Sequence, residues 1–441
     1  MEEQWKKITI MTTVYAFALE IRPLDPFLAA YLTGPDIKMS LQEVTDRLTP
    51  FRVYSSVIGT GLGFFLTDYL RYKPVMVFNG IIGVLAYVNF IGSPDMVQLL
   101  IASNCLSLFL SVEITYFSYL YAQISNKNHY QLATGYAKAG CLSGACISGL
   151  VGQLIVFSGN GNYTALPYIS LAAMAVALVW ACFLPPVEYS NYFNLADDEP
   201  VITSKTALYD ASITNYTESS SADKQEHRRL AASPFKRIYH DFRVSYRDPA
   251  VLKWSIWYTL ALAIFIEITL NINILFSYLA DMRGNRTPLL NGLVVSVATM
   301  CGALSTYSIG QTTAVDWNVW GDLFFGCGSI ALGVLTGLCY FSSDTYAYFM
   351  YISYYALAQT MFVIAISEIA KRMKATCYGL VLGFNAFAAL CLAACFSMFV
   401  IQMNVFDTTT PGQFLFYGGT YLTLGIIFLG VCVLKMFQIL D

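Results

Sequence analysis

The sequence predicts an all-α membrane protein with about twelve transmembrane helices, and three observations lead to this prediction. Hydrophobic residues make up 56% of the 441 residues, whereas charged residues make up only 12%. A soluble protein of this length needs far more charge on its surface. Apolar stretches long enough to cross a bilayer, about 20 residues each, recur from one end of the chain to the other.

The apolar stretches fall into two groups of about six, separated by the only long polar segment, Val187 to Pro249. Low hydrophobicity, serines and mixed charges predict that this segment is a flexible linker. Two groups of this size joined by a polar segment are the layout of the major facilitator fold. We therefore predict an N-terminal half over residues 1–186, a cytoplasmic linker over 187–249 and a C-terminal half over 250–441. The predicted spans are 9–33, 50–69, 74–92, 96–123, 130–157, 165–185, 250–280, 289–311, 321–341, 346–370, 376–403 and 413–437.

The distribution of basic residues in the short loops predicts the orientation, because such residues favour the cytoplasmic side. More of them lie on the side that holds both termini, so we expect both termini in the cytoplasm. Asn162 and Asn285 then fall in outer loops, within the sequons NYT and NRT, and are candidates for glycosylation.

The first span contains three charged residues, Glu20, Arg22 and Asp25, within six positions. Charges at the centre of a span cost about 2.5–3.5 kcal/mol each, so they persist where they face a cavity or a partner. Pro23 and Pro26 must interrupt the helix here, and interrupted backbone at membrane depth is tolerated where it lines a cavity. Two interpretations stay open at this point: a structural ion pair that holds a bent helix, or a substrate-binding site.

Glu113 lies in the middle of the fourth predicted span, too deep to reach the interface. Tyr116 follows three residues later on the same helical face. A carboxylate beside aromatic rings suits an organic cation. The alternative is that Lys138, the only lysine in the middle of a predicted span, neutralises Glu113 in a structural ion pair.

Three further charged positions complete the candidate residues. Glu267 is a buried carboxylate with no basic residue nearby in sequence. Glu368 lies beside Lys371 and Arg372 and is expected to be part of a surface gate or a salt bridge. Arg52 begins the second span, where it either contributes to binding or extends to the outer interface.

The turn between the second and third spans carries Asp68, Arg71 and Lys73. This pattern resembles a degenerate form of the loop motif of major facilitators, in which an aspartate and basic residues latch the two halves. We expect these residues to act in conformational change rather than in binding.

No motif in the sequence indicates an enzyme, a cofactor or a metal site. The three histidines, His129, His227 and His240, fall in predicted cytosolic loops, and no metalloprotease pair, phosphate-binding loop or nucleophile elbow is present. The basic residues form no patch large enough to bind a nucleic acid. The expected partners are therefore a small solute and the lipid bilayer.

Several stretches together resemble the reduced folate and thiamine carrier family, from the first span to the eleventh and in matching order. They include IRPLDPFLAAYLTGPD (21–36), LTDYLRYKPV (66–75), EITYFSYLYA (113–122), YQLATGYAKA (130–139) and GLVLGFNAF (379–387). The resemblance implies uptake of a water-soluble vitamin across the plasma membrane by alternating access.

The resemblance also bears on the cargo. Thiamine carriers of the family have a glutamate at the position of Glu113, where folate carriers have an arginine. Folate carriers also have cationic residues at the positions of Tyr355 and Ala393, both uncharged here. Asp25 matches an acidic family position, and Asn291 matches an asparagine near the family's binding cavity. These positions favour thiamine.

Two departures favour the alternatives. Ser103 stands where the vertebrate carriers have a glutamate, and Arg52 stands where thiamine carriers have an aromatic residue. A folate or another organic anion, paired with Arg52 and Lys138, therefore stays open, as does a transporter-like receptor that binds a vitamin without moving it. We also expect that protonation of one buried carboxylate is coupled to transport.

Overall fold

The structure of the chain, a computed structural model, is helical almost throughout the residues that it describes. These residues are 2–34, 37–39, 55–61, 63, 67, 70, 72–92, 94–111, 115–124, 126–159, 163–187, 234–282, 290–312, 315–341, 344–373, 378–402 and 410–437. Within these ranges no residue belongs to a β-strand. The all-α prediction is therefore confirmed.

The α-helices follow the predicted spans closely. A 3-10 turn over Asp25–Phe27 precedes α2, another over Lys127–His129 precedes α6, and a π-helical segment, Ser397–Gln402, follows α13. The α-helices are α1 (Glu2–Leu19), α2 (Leu28–Thr33), α3 (Lys73–Val88), α4 (Met96–Ser111), α5 (Thr115–Gln123), α6 (Tyr130–Ser158), α7 (Ala165–Phe183), α8 (Pro234–Ser245), α9 (Pro249–Met282), α10 (Asn291–Gln311), α11 (Trp317–Phe341), α12 (Asp344–Arg372), α13 (Tyr378–Phe396) and α14 (Thr410–Met436).

Eight helical segments of the described residues are long and apolar enough to cross a membrane. They correspond to α6, α7 and α9–α14, and two shorter apolar helices, Lys73–Val88 and Met96–Phe109, add to them. Residues 55–61 of the second predicted span are helical as well. The first predicted span differs, because α1 ends at Leu19 and the helix resumes only at Leu28.

The last part of the predicted linker is helical. Residues 188–233 lie outside the described residues, but residues 234–245 form helix α8. This helix packs on α13, where the Phe242 ring lies edge-on to Phe384 at 4.8 Å between centroids. Just after α8, the Tyr246 hydroxyl donates to Asn385 Oδ1 at 2.6 Å. These contacts stabilise a helix that the polar composition of the segment does not reveal.

Helix α6 packs against both α1 and α10, and small residues bring its backbone close to both. A Cβ atom added at Gly135 would lie 2.8 Å from Gly310 Cα and 2.9 Å from the Thr306 carbonyl oxygen. Close approach of this kind replaces side-chain interdigitation by backbone contact, as is common between membrane helices. Helices from the N-terminal and C-terminal parts of the chain are therefore in direct contact along α6 and α10.

Candidate functional site

The interruption after α1 is the most polar feature of the first predicted span. Pro23 and Pro26 lack a backbone N–H, so a continuous α-helix cannot form across residues 20–27. Hydroxyl groups of two neighbouring helices accept hydrogen bonds from backbone N–H groups of the interruption. The N–H of Arg22 donates to Ser148 Oγ at 3.0 Å, and the N–H of Leu24 donates to Ser170 Oγ at 3.2 Å. The bent backbone is thereby fixed between α6 and α7.

The three charged residues of the interruption form one cluster around a single guanidinium group. Arg22 Nη2 lies 2.8 Å from Glu20 Oε2, and Arg22 Nε lies 2.9 Å from Asp25 Oδ2. Two carboxylates thus lie against one guanidinium. The structural ion pairs that the sequence suggested are present.

Aromatic side chains surround this cluster. The Tyr87 hydroxyl, on α3, donates to Asp25 Oδ1 at 2.6 Å. The Arg22 guanidinium lies over the ring of Phe109, on α4, at 5.3 Å from its centroid. The Asp25 side chain is 28% exposed, compared with 14% for Glu20 and 11% for Arg22. Asp25 is thus the carboxylate of the cluster that a solute can reach most easily.

The interruption also contacts the first turn of α10. The Phe27 ring lies between glycines of two helices, since a Cβ atom added at Gly152 or Gly292 would lie 2.8 Å or 3.2 Å from it. Gly292 follows Asn291, the first residue of α10. The segment that holds Asp25 therefore touches both α6 and the start of α10, so it lies where the N-terminal and C-terminal helices meet.

A second group of contacts joins these helices at the opposite end of the bundle, where α1 begins. The Trp5 ring stacks on His129 there at 4.3 Å between centroids. Lys127 Nζ donates to the carbonyl oxygens of Lys371 and Met373 at 3.0 and 2.6 Å. We call this region the α1-start end; it connects the turn before α6 with the end of α12.

Gln131 is the central side chain of the α1-start end and is buried. Its Nε2 donates to the carbonyl oxygens of Ile309 and Thr312 at 2.9 and 3.2 Å. Its Oε1 accepts from Trp317 Nε1 at 3.0 Å. The hydroxyl of the preceding residue, Tyr130, lies 2.7 Å from the Tyr378 hydroxyl on α13. Hydrogen bonds thus close this end of the bundle between its N-terminal and C-terminal helices.

Comparison with known proteins assigns the family. A sequence profile of the reduced folate carrier family matches residues 3–416 of this chain. The chain belongs to the reduced folate carrier family. Thiamine transporter 2 of Macaca fascicularis is 26% identical to it, with coverage of 96% of this chain and 89% of the relative. Folate transporter 1 of Caenorhabditis elegans is also 26% identical, with coverage of 98% and 93%.

The fold is that of a major facilitator. The crystal structure of the human organic anion transporter MFSD10 superimposes with a TM-score of 0.64 at 13% identity. The superposition covers 97% of this chain and 99% of that one. The predicted fold class and the family resemblance are therefore both confirmed, and the named relatives in the reduced folate carrier family are transporters rather than enzymes.

Two further predicted site residues lie at the starts of α5 and α10. Tyr116 lies in the first turn of α5 and is buried, with its ring centroid 4.3 Å from that of Phe117. Of Asn291 only the backbone is described. Six other predicted positions lie outside the described residues, namely Arg52, Asp68, Arg71, Glu113, Asn162 and Asn285.

Glu267 and Lys73 lie apart from the cluster around Arg22 in sequence and in their helices. Glu267 is buried on α9, where its Oε2 accepts from the Tyr417 hydroxyl of α14 at 3.2 Å. Lys73 Nζ donates to the Cys182 carbonyl oxygen at 2.9 Å, near the end of α7. Lys138 is half-buried on α6. The structure therefore joins Glu20, Arg22 and Asp25 in one place and puts Glu267 in another.

Sequence reasoning missed several residues of these networks. Tyr87 and Gln131 gave no signal, because tyrosine and glutamine are common in membrane helices and their partners are distant in sequence. Asp322 was detectable as a charge near the start of a predicted span; it is buried and bonded to both Lys253 and Lys435. Glu368 pairs with Lys371 and Arg372, as the sequence predicted.

Proposed function

We propose that this protein is a secondary-active transporter that takes up thiamine across the plasma membrane by alternating access. The observation that carries the proposal is the partly exposed carboxylate of Asp25 in the interrupted first helix. Two carboxylates share one guanidinium there, and Asp25, the more exposed carboxylate, accepts a hydrogen bond from Tyr87. An accessible carboxylate beside aromatic rings attracts an organic cation.

Residue types elsewhere in the chain support the same cargo. Glu113 is the residue that thiamine carriers have at this position, and it follows Phe109, which packs on Arg22, by four residues in sequence. Tyr355 and Ala393 stand where folate carriers have cations. A folate dianion would need cationic partners, because burying unpaired charges is costly. We therefore assign binding of the cation to Asp25, Glu113 and Tyr116, with Asn291 contributing from α10.

The transport cycle that we propose opens and closes the two ends of the bundle in turn. Contacts through Lys127, Gln131 and Tyr130 would have to break for the α1-start end to open. We place this end, and with it both termini, in the cytoplasm on the basis of the basic loop residues. The closed contacts then correspond to a state in which the site is separated from the cytoplasm.

Uptake of labelled thiamine and a labelled reduced folate, measured side by side in cells that express the wild type, tests the cargo. We expect the wild type to take up thiamine. In Asp25→Asn and in Glu113→Gln we expect this uptake to be lost although surface expression is unchanged. Asp95→Asn is the matched control, because Asp95 is exposed and caps α4, and asparagine caps as well as aspartate. Thiamine uptake that is equal in all four proteins would contradict the proposed site.

A folate or another organic anion is the second candidate cargo. The 26% identity to a folate transporter and the presence of Arg52 favour it. Folate uptake by the wild type without thiamine uptake would establish this alternative. The residues that pair with the cargo's charge would then be Arg52 and Lys138. Saturable binding of thiamine without accumulation in vesicles would instead identify a receptor.

A further inference from the structure

Glu267 differs from four other acidic side chains of the helical bundle. Asp322 and Glu368 each pair with two cations, and Glu20 and Asp25 share Arg22. Glu267 is only 2% exposed, yet no described lysine, arginine or histidine forms an ion pair with it. Of the acidic side chains named here, it is the one whose described partners are all uncharged.

The helices packed around Glu267 present tyrosine and amide groups. Glu267 Oε2 accepts from the Tyr417 hydroxyl at 3.2 Å and lies 3.5 Å from Asn271 Nδ2, one turn farther along α9. Helix α13 contributes small apolar residues, with Ala389 and Ala393 packed against Ala263. Among the described titratable groups, the Tyr417 hydroxyl contacts Glu267 itself and the Tyr421 hydroxyl donates to the Ala261 carbonyl oxygen of α9. Tyr354 and Tyr355 of α12 pack on Phe265, and α13, which packs on α9, carries Cys391 and Cys395.

A charged carboxylate in such surroundings is unfavourable. Burial removes water from the charge, and two neutral donors do not replace a cation. A bound proton removes the charge and leaves a carboxyl group that accepts from Tyr417 and gains an O–H donor of its own. Acidic side chains that are retained inside membranes commonly serve in proton relays.

We propose that Glu267 is a proton-binding site and that its protonation and deprotonation accompany the transport cycle. The site is neutral while α9 and α14 are packed as in this structure. It releases its proton when a rearrangement of α9 against α14 admits water. Asn271, which keeps part of its surface exposed, extends the polar face of α9 by one turn from Glu267. The coupling part of this inference rests on the proposed transport function, whereas the proton site itself does not.

Infrared difference spectroscopy of the purified full chain, without any cargo, tests the proton site. A step to higher pH should remove the C=O band of a buried protonated carboxyl group in the wild type. The band should be absent from Glu267→Gln, which keeps the acceptor for Tyr417, and present in Asp95→Asn. In Tyr417→Phe the band should persist at a shifted frequency. An unchanged band in Glu267→Gln, or no band in the wild type, would overturn the proposal.

Uptake of labelled thiamine into proteoliposomes tests the coupling. One coupled proton changes the accumulation ratio by about tenfold per unit of pH difference. We expect such a change in the wild type and in Glu267→Asp. In Glu267→Gln we expect an accumulation ratio that does not depend on the pH difference, while exchange of thiamine at equal pH is retained. A full pH response in Glu267→Gln would refute coupling through this residue. Absence of thiamine uptake in the wild type, with the infrared band intact, would refute the cargo and not the proton site.

Discussion

Removing the guanidinium of Arg22 is expected to destabilise the protein more than removing either of its carboxylate partners. All three side chains are largely buried, at 11%, 14% and 28% exposure for Arg22, Glu20 and Asp25. Arg22→Gln leaves two carboxylates without their shared cation, and breaking a buried pair in this way costs about 3–5 kcal/mol. Asp25→Asn leaves Arg22 paired with Glu20 and removes the charge from the group that accepts the Tyr87 hydrogen bond, a loss of about 1.5–3 kcal/mol.

The decisive comparison is with the triple variant Glu20→Gln, Arg22→Gln, Asp25→Asn. This variant contains no uncompensated charge in the interruption, so we expect it to be more stable than Arg22→Gln alone. Apparent melting temperatures of the purified proteins, taken at one heating rate, provide the ranking, because unfolding of a protein of this kind is commonly irreversible. If Arg22→Gln melted together with Asp25→Asn, or if the triple variant melted below Arg22→Gln, the electrostatic account of this cluster would be refuted.

Three further predictions concern the rest of the chain. Gln131→Leu removes hydrogen bonds at the α1-start end that contribute about 1 kcal/mol each. Every 1.4 kcal/mol lost should raise the population of the open end about tenfold, which cysteine labelling at that end would measure. Unchanged labelling would contradict the gating role. Asn162→Gln or Asn285→Gln should remove a glycosidase-sensitive shift in the electrophoretic mobility of the protein, because both loops are predicted to lie outside the cell. A wild type without this shift would leave the predicted orientation without this support. Gly135→Leu should prevent the close approach of α6 to Gly310 and lower the melting temperature, while Gly419→Ala, where an added Cβ atom meets nothing within 4 Å, should leave it unchanged.

The interruption of the first helix shows how far local sequence reasoning reaches. Two prolines within four residues remove backbone donors, so the break between Leu19 and Leu28 could be predicted from the sequence alone. The ion pairs of Arg22 could be suggested as well, because both partners lie within three residues of it. That Tyr87, 62 residues from Asp25, completes the cluster could not be inferred.

The long polar segment shows the opposite case. Its composition predicts flexibility, yet residues 234–245 form α8, because Phe242 and Tyr246 find partners on α13. Composition describes what a segment offers on average, whereas packing depends on which surface it meets. The helix therefore depends on a contact between segments that are more than a hundred residues apart in sequence.

The sequence by itself determined that this chain has many helices apolar enough to cross a membrane, roughly where these helices lie, where the first one breaks, and which family the chain resembles. Only the tertiary structure decided the partners of the buried polar groups, such as Tyr417 for Glu267, 150 residues away, and Trp317 for Gln131. The physical reason lies in the solvent. Because lipid and protein interior are both apolar, positions that face either one look alike in sequence. The rotation and depth of each helix, and hence its polar contacts, follow from packing rather than from periodicity.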